Sequence, residues 1–280
     1  MWNLPESARV VEVGLRDGLQ AIETPLSTDR KIAIVSEMIA AGFKEIEVAS
    51  FAHPKVLPQL ADAEAVLAGI PRPPHVRFRA LVPNARGAVR AAQCEIDELT
   101  FVIPAEDGMA SKNQGTTTDG LLAQLEEIRE VSQGAGQRLI VAVACAFFSP
   151  CYGPVSKAER DKVVRKALEV GADGIYLATT TGEETPLEVF SGISETKRDF
   201  PGLEVGAHLH NRNGFAPANA LAALSAGADW LESSVAGLGG DMWFPGPERA
   251  GQHGNRGSHP PASWNGHLHR HRLEPCQTYI

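Results

Sequence analysis

The sequence predicts a closed barrel of eight parallel strands alternating with helices, the (β/α)8 or TIM barrel. Three observations carry this. An amphipathic helix, a small-residue stop and a short apolar strand recur along the chain. Eight such strands fit within some 235 residues. Their C-terminal ends carry polar or special residues: Arg16-Asp17, Ser50, Asn84, Ser149, Thr179 to Thr181, His208-x-His210 and Gly237 to Gly240.

The strands fall near 10–14, 44–49, 77–82, 97–103, 138–145, 174–178, 204–209 and 230–235. Helical periodicity is clearest at 32–41, 162–170 and 216–226. These helices stop at Gly42, Gly171 and Gly227, where left-handed backbone closes a helix without a Cβ clash. A strand follows each stop, and that alternation builds parallel β/α units. An open doubly wound sheet is the alternative. It carries a Gly-rich nucleotide loop after its first strand, and Gly14-Leu-Arg-Asp-Gly18 does not match one.

The chain has 280 residues and 43% hydrophobic content, enough for one large α/β domain. A net charge of −8 argues against nucleic acid as a partner. No apolar run approaches the roughly 20 residues of a membrane span, and no membrane partner is expected. The N-terminal segment lacks a basic region followed by an apolar one, so a cytoplasmic location is expected. Cys94, Cys145, Cys151 and Cys276 have no disulfide or zinc-ribbon spacing and read as free thiols.

Two strand ends carry the chemistry. In Leu203-Glu-Val-Gly-Ala-His-Leu-His-Asn211, the two histidines lie two residues apart on a strand and so face one side. Val10-Val-Glu-Val13 is a strand that breaks at Gly14-Leu-Arg-Asp-Gly-Leu-Gln20, and Asp-Gly there reads as a turn. In a closed barrel, strands one and seven are separated by strand eight alone. Asp17, His208 and His210 can then converge as three ligands of a divalent metal with open positions for substrate.

At these residues the chain resembles hydroxymethylglutaryl-CoA lyases, members of a metallolyase and Claisen-condensing barrel superfamily. The matching segments are Val11-Glu-Val-Gly-Leu-Arg-Asp-Gly-Leu-Gln20, Glu47-Val-Ala-Ser-Phe51, Val82-Pro-Asn84, Ser111-Lys-Asn113, His208-Leu-His210 and Val235-Ala-Gly-Leu-Gly-Gly240. The resemblance implies cleavage of 3-hydroxy-3-methylglutaryl-CoA, or a related 3-hydroxyacyl-CoA, to acetyl-CoA and acetoacetate or a related keto acid, as in leucine catabolism. It implies Mg2+ or Mn2+ as cofactor, an acyl-CoA as partner, and a homo-oligomer where the C-terminus is intact. Asp17, His208 and His210 would be metal ligands and Arg16 the stabiliser of the enolate oxygen. His208 or Asp17 would accept the hydroxyl proton. Gln20, Glu47, Ser50, Asn84, Asn113 and Thr179 would support the site or the substrate.

Three departures from the family pattern bear on activity. The lyases usually carry Cys after Gly-Leu-Gly-Gly, where this chain has Asp241; a carboxyl would serve as the acid there only if burial raised its pKa. The family's Gly-Asp-Thr reads Ala178-Thr-Thr180. After about residue 246 the helical pattern stops, and the family's Gly-Asn, which completes the metal site, is not recognisable. The reading is a barrel domain over 1–246 and an aberrant Gly-, Pro-, His- and Arg-rich tail over 247–280, with the last helix and cap missing or replaced. A reading-frame shift with termination at Ile280 accounts for the tail. A His-rich metal-binding extension, suggested by His267-x-His269-x-His271, is the other reading. Two alternatives to the lyase remain: a Claisen-condensing acyl-CoA transferase of the isopropylmalate or citramalate synthase type, and an inactive truncated barrel.

Overall fold

The computed structural model describes residues 4–239, and they form the expected closed parallel barrel. Its strands are β1 (Arg9–Glu12), β2 (Glu45–Ser50), β3 (Arg77–Val82), β4 (Glu98–Pro104), β5 (Arg138–Ala144), β6 (Gly174–Thr179), β7 (Val205–Leu209) and β8 (Trp230–Ser233). The ring closes through β1, which pairs with β8 on one side and β2 on the other. This closure excludes the open-sheet alternative. A two-residue hairpin, Phe148–Ser149 against Gly153–Pro154, rises from the end of β5.

The helices are α1 (Thr28–Ala40), α2 (Ala63–Gly69), α3 (Ala85–Ala91), α4 (Asp107–Gln114), α5 (Thr118–Leu122), α6 (Leu125–Gly134), α7 (Lys157–Glu169), α8 (Pro186–Asp199) and α9 (Ala216–Ser225). Two start earlier than their apolar periodicity suggests, because their caps lie upstream. Ser27 accepts from Arg30 N ahead of α1, and Ser156 with Glu159 forms a capping box ahead of α7. The 247–280 tail and the expected place of an eighth barrel helix lie outside the described residues.

The main core lies between strands and helices, with Ile46, Val48, Phe78, Leu99, Phe101 and Leu139 among its members. The barrel interior holds a smaller cluster of Val11, Val13, Ile140, Ala142, Tyr176, Ala178 and Trp230. Gly206 makes room there: a Cβ on it would sit 2.1 Å from the Trp230 ring. Charges fill the remaining interior. Arg79 is 2% exposed and donates to Glu98 Oε2 at 2.7 and 3.0 Å and to Glu232 Oε1 at 2.7 Å. Buried ions this well paired are costly to leave half-made, so the barrel interior and the site above it share one ionic frame.

Candidate active site

The segment after β1 differs from the expected simple turn. Gly14–Gly18 winds into one turn of π-helix, all five residues buried. Such turns gather at functional sites because they re-aim neighbouring side chains. Here the turn puts consecutive residues to work together. Arg16 Nε donates to Glu47 Oε2 at 2.5 Å and Arg16 Nη1 to Asp17 Oδ1 at 2.9 Å. Gln20 Nε2 donates to the same Oδ1 at 3.0 Å. The other oxygen, Oδ2, lies 3.8 Å from His210 Nε2.

The two histidines meet as the strand spacing requires. His208 Nε2 and His210 Nε2 are 2.9 Å apart. Their partners set the tautomers. His210 Nδ1 lies 2.9 Å from the carbonyl of Thr180, which can only accept, and His208 Nδ1 lies 2.7 Å from the Glu232 carboxylate. Both rings therefore carry hydrogen on Nδ1, and as neutral imidazoles they offer Nε2 as the ligating atom. With Asp17 they form the group of three ligating atoms within 4.8 Å of one another, a donor set suited to a divalent cation.

Electrostatics agree with that assembly. Burial opposes ionisation of Asp17, but the Arg16 guanidinium beside it holds its carboxyl well below the usual carboxylate range. Burial likewise opposes the Arg16 charge, and Glu47 and Asp17 outweigh it. The group opens into a cavity of about 250 Å³. Arg16, Asp17, Gln20, His208 and His210 line it together with the apolar Leu81, Val102, Met109, Ala142 and Ala178.

The remaining expected residues divide. Ser50 and Asn113 line the cavity. Glu47 sits behind Arg16, fully buried. Thr179 does not line it; its Oγ1 accepts from His210 N at 3.0 Å and so fixes the loop carrying the imidazole. Asn84 does not line it either, because its side chain accepts from Gly87 N and caps α3. Asp241 lies outside the described residues. Cys145 lines the cavity, with burial pushing its thiol up to about 12, so it is a thiol rather than a thiolate at neutral pH.

Sequence reasoning missed Glu232, which joins His208 Nδ1 to Arg79, and Glu12. A charge inside a short buried strand was the available signal in both. Glu12 Oε1 accepts from Gly14 N and Val235 N, both at 2.8 Å, and its Oε2 accepts from Ser233 Oγ at 3.0 Å. It ties the loop after β1 to the loop after β8. Burial pushes its carboxyl up to about 7, against the hydrogen bonds from Val235, Gly14 and Ser233. An unfolded glutamate titrates near 4.5. The folded protein therefore binds more protons between those values, and stability present below pH 4.5 is lost as pH rises through 7. Glu12→Gln should flatten that decline, by up to about 3 kcal/mol, in denaturant titrations across this window. A variant with the wild-type slope would refute the assignment.

The strand-eight loop also touches Asp17. Gly239 has φ +119°, and a Cβ there would lie 2.6 Å from Asp17 Oδ2. Gly239→Ala should displace that oxygen and lower turnover about 10²-fold, the usual cost of misplacing a reacting group by an ångström. Undiminished steady-state turnover would show that the loop yields instead.

A family model described as HMGL-like matches residues 7–254. The chain belongs to that family. Other HMGL-like proteins agree along most of the chain. The mitochondrial hydroxymethylglutaryl-CoA lyase of Bos taurus is 34% identical over 236 residues, which are 84% of this chain and 73% of the relative. The hydroxymethylglutaryl-CoA lyase of Pseudomonas mevalonii is 32% identical over 241 residues, 86% of this chain and 80% of the relative. Among solved structures, an HMG-CoA lyase from Acenitobacter baumannii in complex with coenzyme A and 3-methylmalate superposes with a TM-score of 0.81 at 35% identity. It covers 85% of this chain and 78% of that one.

Proposed function

We propose that this HMGL-like chain is a metal-dependent carbon–carbon lyase. It cleaves 3-hydroxy-3-methylglutaryl-CoA, or a close 3-hydroxyacyl-CoA relative, to acetyl-CoA and acetoacetate or the corresponding keto acid. The observation that carries the reading is the convergence of Asp17, His208 and His210 beside Arg16, in a chain 32% identical to a bacterial hydroxymethylglutaryl-CoA lyase over most of its length. Asp17, His208 and His210 would hold the cation, for which Mg2+ or Mn2+ is proposed. Bound there, it would supply Lewis acidity to the substrate's 3-hydroxyl.

The chain's own residues do the rest. Glu47 fixes the Arg16 guanidinium, which stabilises the thioester enolate oxygen as the C–C bond breaks. Asp17, held anionic by Arg16, is a poor acceptor for the hydroxyl proton. His208 Nε2 serves as base or as ligand but not as both at once, since Nδ1 is committed to Glu232. Gln20, Ser50 and Asn113 orient substrate or ligand, Thr179 positions His210, and Asp241 is assigned the acid that protonates carbon. Residues 1–246 are proposed as the catalytic unit, with 247–280 an appendage to it. A cytoplasmic location, a place in leucine breakdown and a homo-oligomer belong to the same reading. Among the described residues no helix is long and apolar enough to cross a membrane.

The test is product analysis. Hydroxymethylglutaryl-CoA with Mg2+ or Mn2+ should yield acetoacetate, and a chelator should stop it. Condensation of acetyl-CoA with a 2-oxo acid, without cleavage, would establish the synthase alternative. Metal binding with neither reaction would establish the inactive barrel.

A further inference from the structure

Tyr176 lines the cavity but has no part in the reading above. It sits in the middle of β6 and faces the barrel interior with Ala142 and Ala178. Its paired neighbours are Ala142 on β5 and Gly206 on β7, so small residues flank the ring on both sides. The residue is 3% exposed. Its ring stacks on the His208 imidazole, with centroids 5.7 Å apart and planes 24° from parallel. The phenol is thereby held in one orientation, on the side of the cavity that carries the ligating group.

Among the described residues its hydroxyl takes part in no hydrogen bond. Buried hydroxyls are almost always paired, and a tyrosine whose ring is packed while its hydroxyl lines a cavity is set to meet an acceptor arriving there. The chemistry needs such a donor. Arg16 faces the cavity, but Nε is engaged by Glu47 and Nη1 by Asp17, so two carboxylates offset its charge. A phenol adds a donor without adding charge beside a cation site, and it stays protonated up to about pH 10 in ordinary surroundings.

We propose that the Tyr176 hydroxyl is a second hydrogen-bond donor, beside Arg16, to the thioester oxygen that becomes the enolate oxygen when the C–C bond breaks. No proton passes in this step; the hydroxyl donates a hydrogen bond that strengthens as charge develops, so its effect falls on kcat. The inference rests on the lyase reading and adds a catalytic residue to it.

Tyr176→Phe keeps the ring and its stacking on His208, and Tyr176→Leu removes both. Two rates are to be followed with wild type and variants: cleavage of hydroxymethylglutaryl-CoA, and exchange of the acetyl-CoA methyl hydrogens for deuterium, which requires the same enolate. Tyr176→Phe should lower both rates about 10²–10³-fold. KM, Mn2+ affinity by calorimetry and thermal midpoint should stay as in wild type. Wild-type rates in Tyr176→Phe, with or without loss in Tyr176→Leu, would overturn the proposal and leave the lyase reading intact. A Tyr176→Phe loss that follows lost Mn2+ affinity would also overturn it. A wild-type protein that binds Mn2+ yet neither cleaves nor exchanges would overturn the lyase reading, and the proposal with it.

Discussion

Arg16→Gln should lower cleavage of the 3-hydroxyacyl-CoA about 10³-fold, the upper range for removing a donor from a developing oxyanion. Its charge is fixed before substrate arrives, by Glu47 at 2.5 Å and Asp17 at 2.9 Å, so no reorganisation is needed during reaction. The same substitution carries a structural cost. Glu47 is fully buried, and stripping it of its cation leaves an uncompensated carboxylate, worth about 3–5 kcal/mol of destabilisation. The double variant Arg16→Gln/Glu47→Gln separates the two effects. Its melting temperature should recover while its kcat stays low. An Arg16→Gln single variant within about tenfold of wild type would remove Arg16 from the chemistry.

His210→Ala should abolish measurable divalent-metal binding. Two ligands would remain, and the imidazole held by the Thr180 carbonyl could no longer complete the set. Glu232→Gln is the graded counterpart. Gln can still accept from His208 Nδ1 through its carbonyl oxygen, but the ring loses its anionic partner and Arg79 loses an ion pair. Metal affinity should fall about 10–100-fold, the usual cost of losing a ligand's outer support. Calorimetry with Mn2+ reads both variants. Unchanged affinity in His210→Ala would sink the ligand assignment.

The barrel was legible because its signals are local and repeated. Gly42, Gly171 and Gly227 close helices wherever they occur, and all eight strands lie within a residue or two of their expected bounds. The Asp17–His208–His210 group was legible from the two-residue spacing of the histidines together with the closed order that sets β1 and β7 on either side of β8. What escaped the sequence was long-range pairing. Arg79 and Glu232 are 153 residues apart, and neither reads as part of a site until their strands face one another. Asn84 shows a second use that the sequence does not separate from a site role: a polar residue at a strand end also serves as a helix cap, here for α3. The π-turn was hidden because Asp-Gly favours a tight reversal in isolation, whereas burial of all five residues from Gly14 to Gly18 demands that the backbone bond to itself.

Glu232 belongs to two structures at once, the His208 support and the Arg79 ion network of the barrel. That sharing constrains descent. A lineage that altered the charge behind His208 would have to resettle the whole ionic interior, so inherited variation is channelled elsewhere. The apolar lining, with Leu81, Val102 and Met109, holds no such shared charge and can drift one residue at a time. Diversification among these barrels should accordingly be written in the apolar lining, with the ionic group passed on as a block.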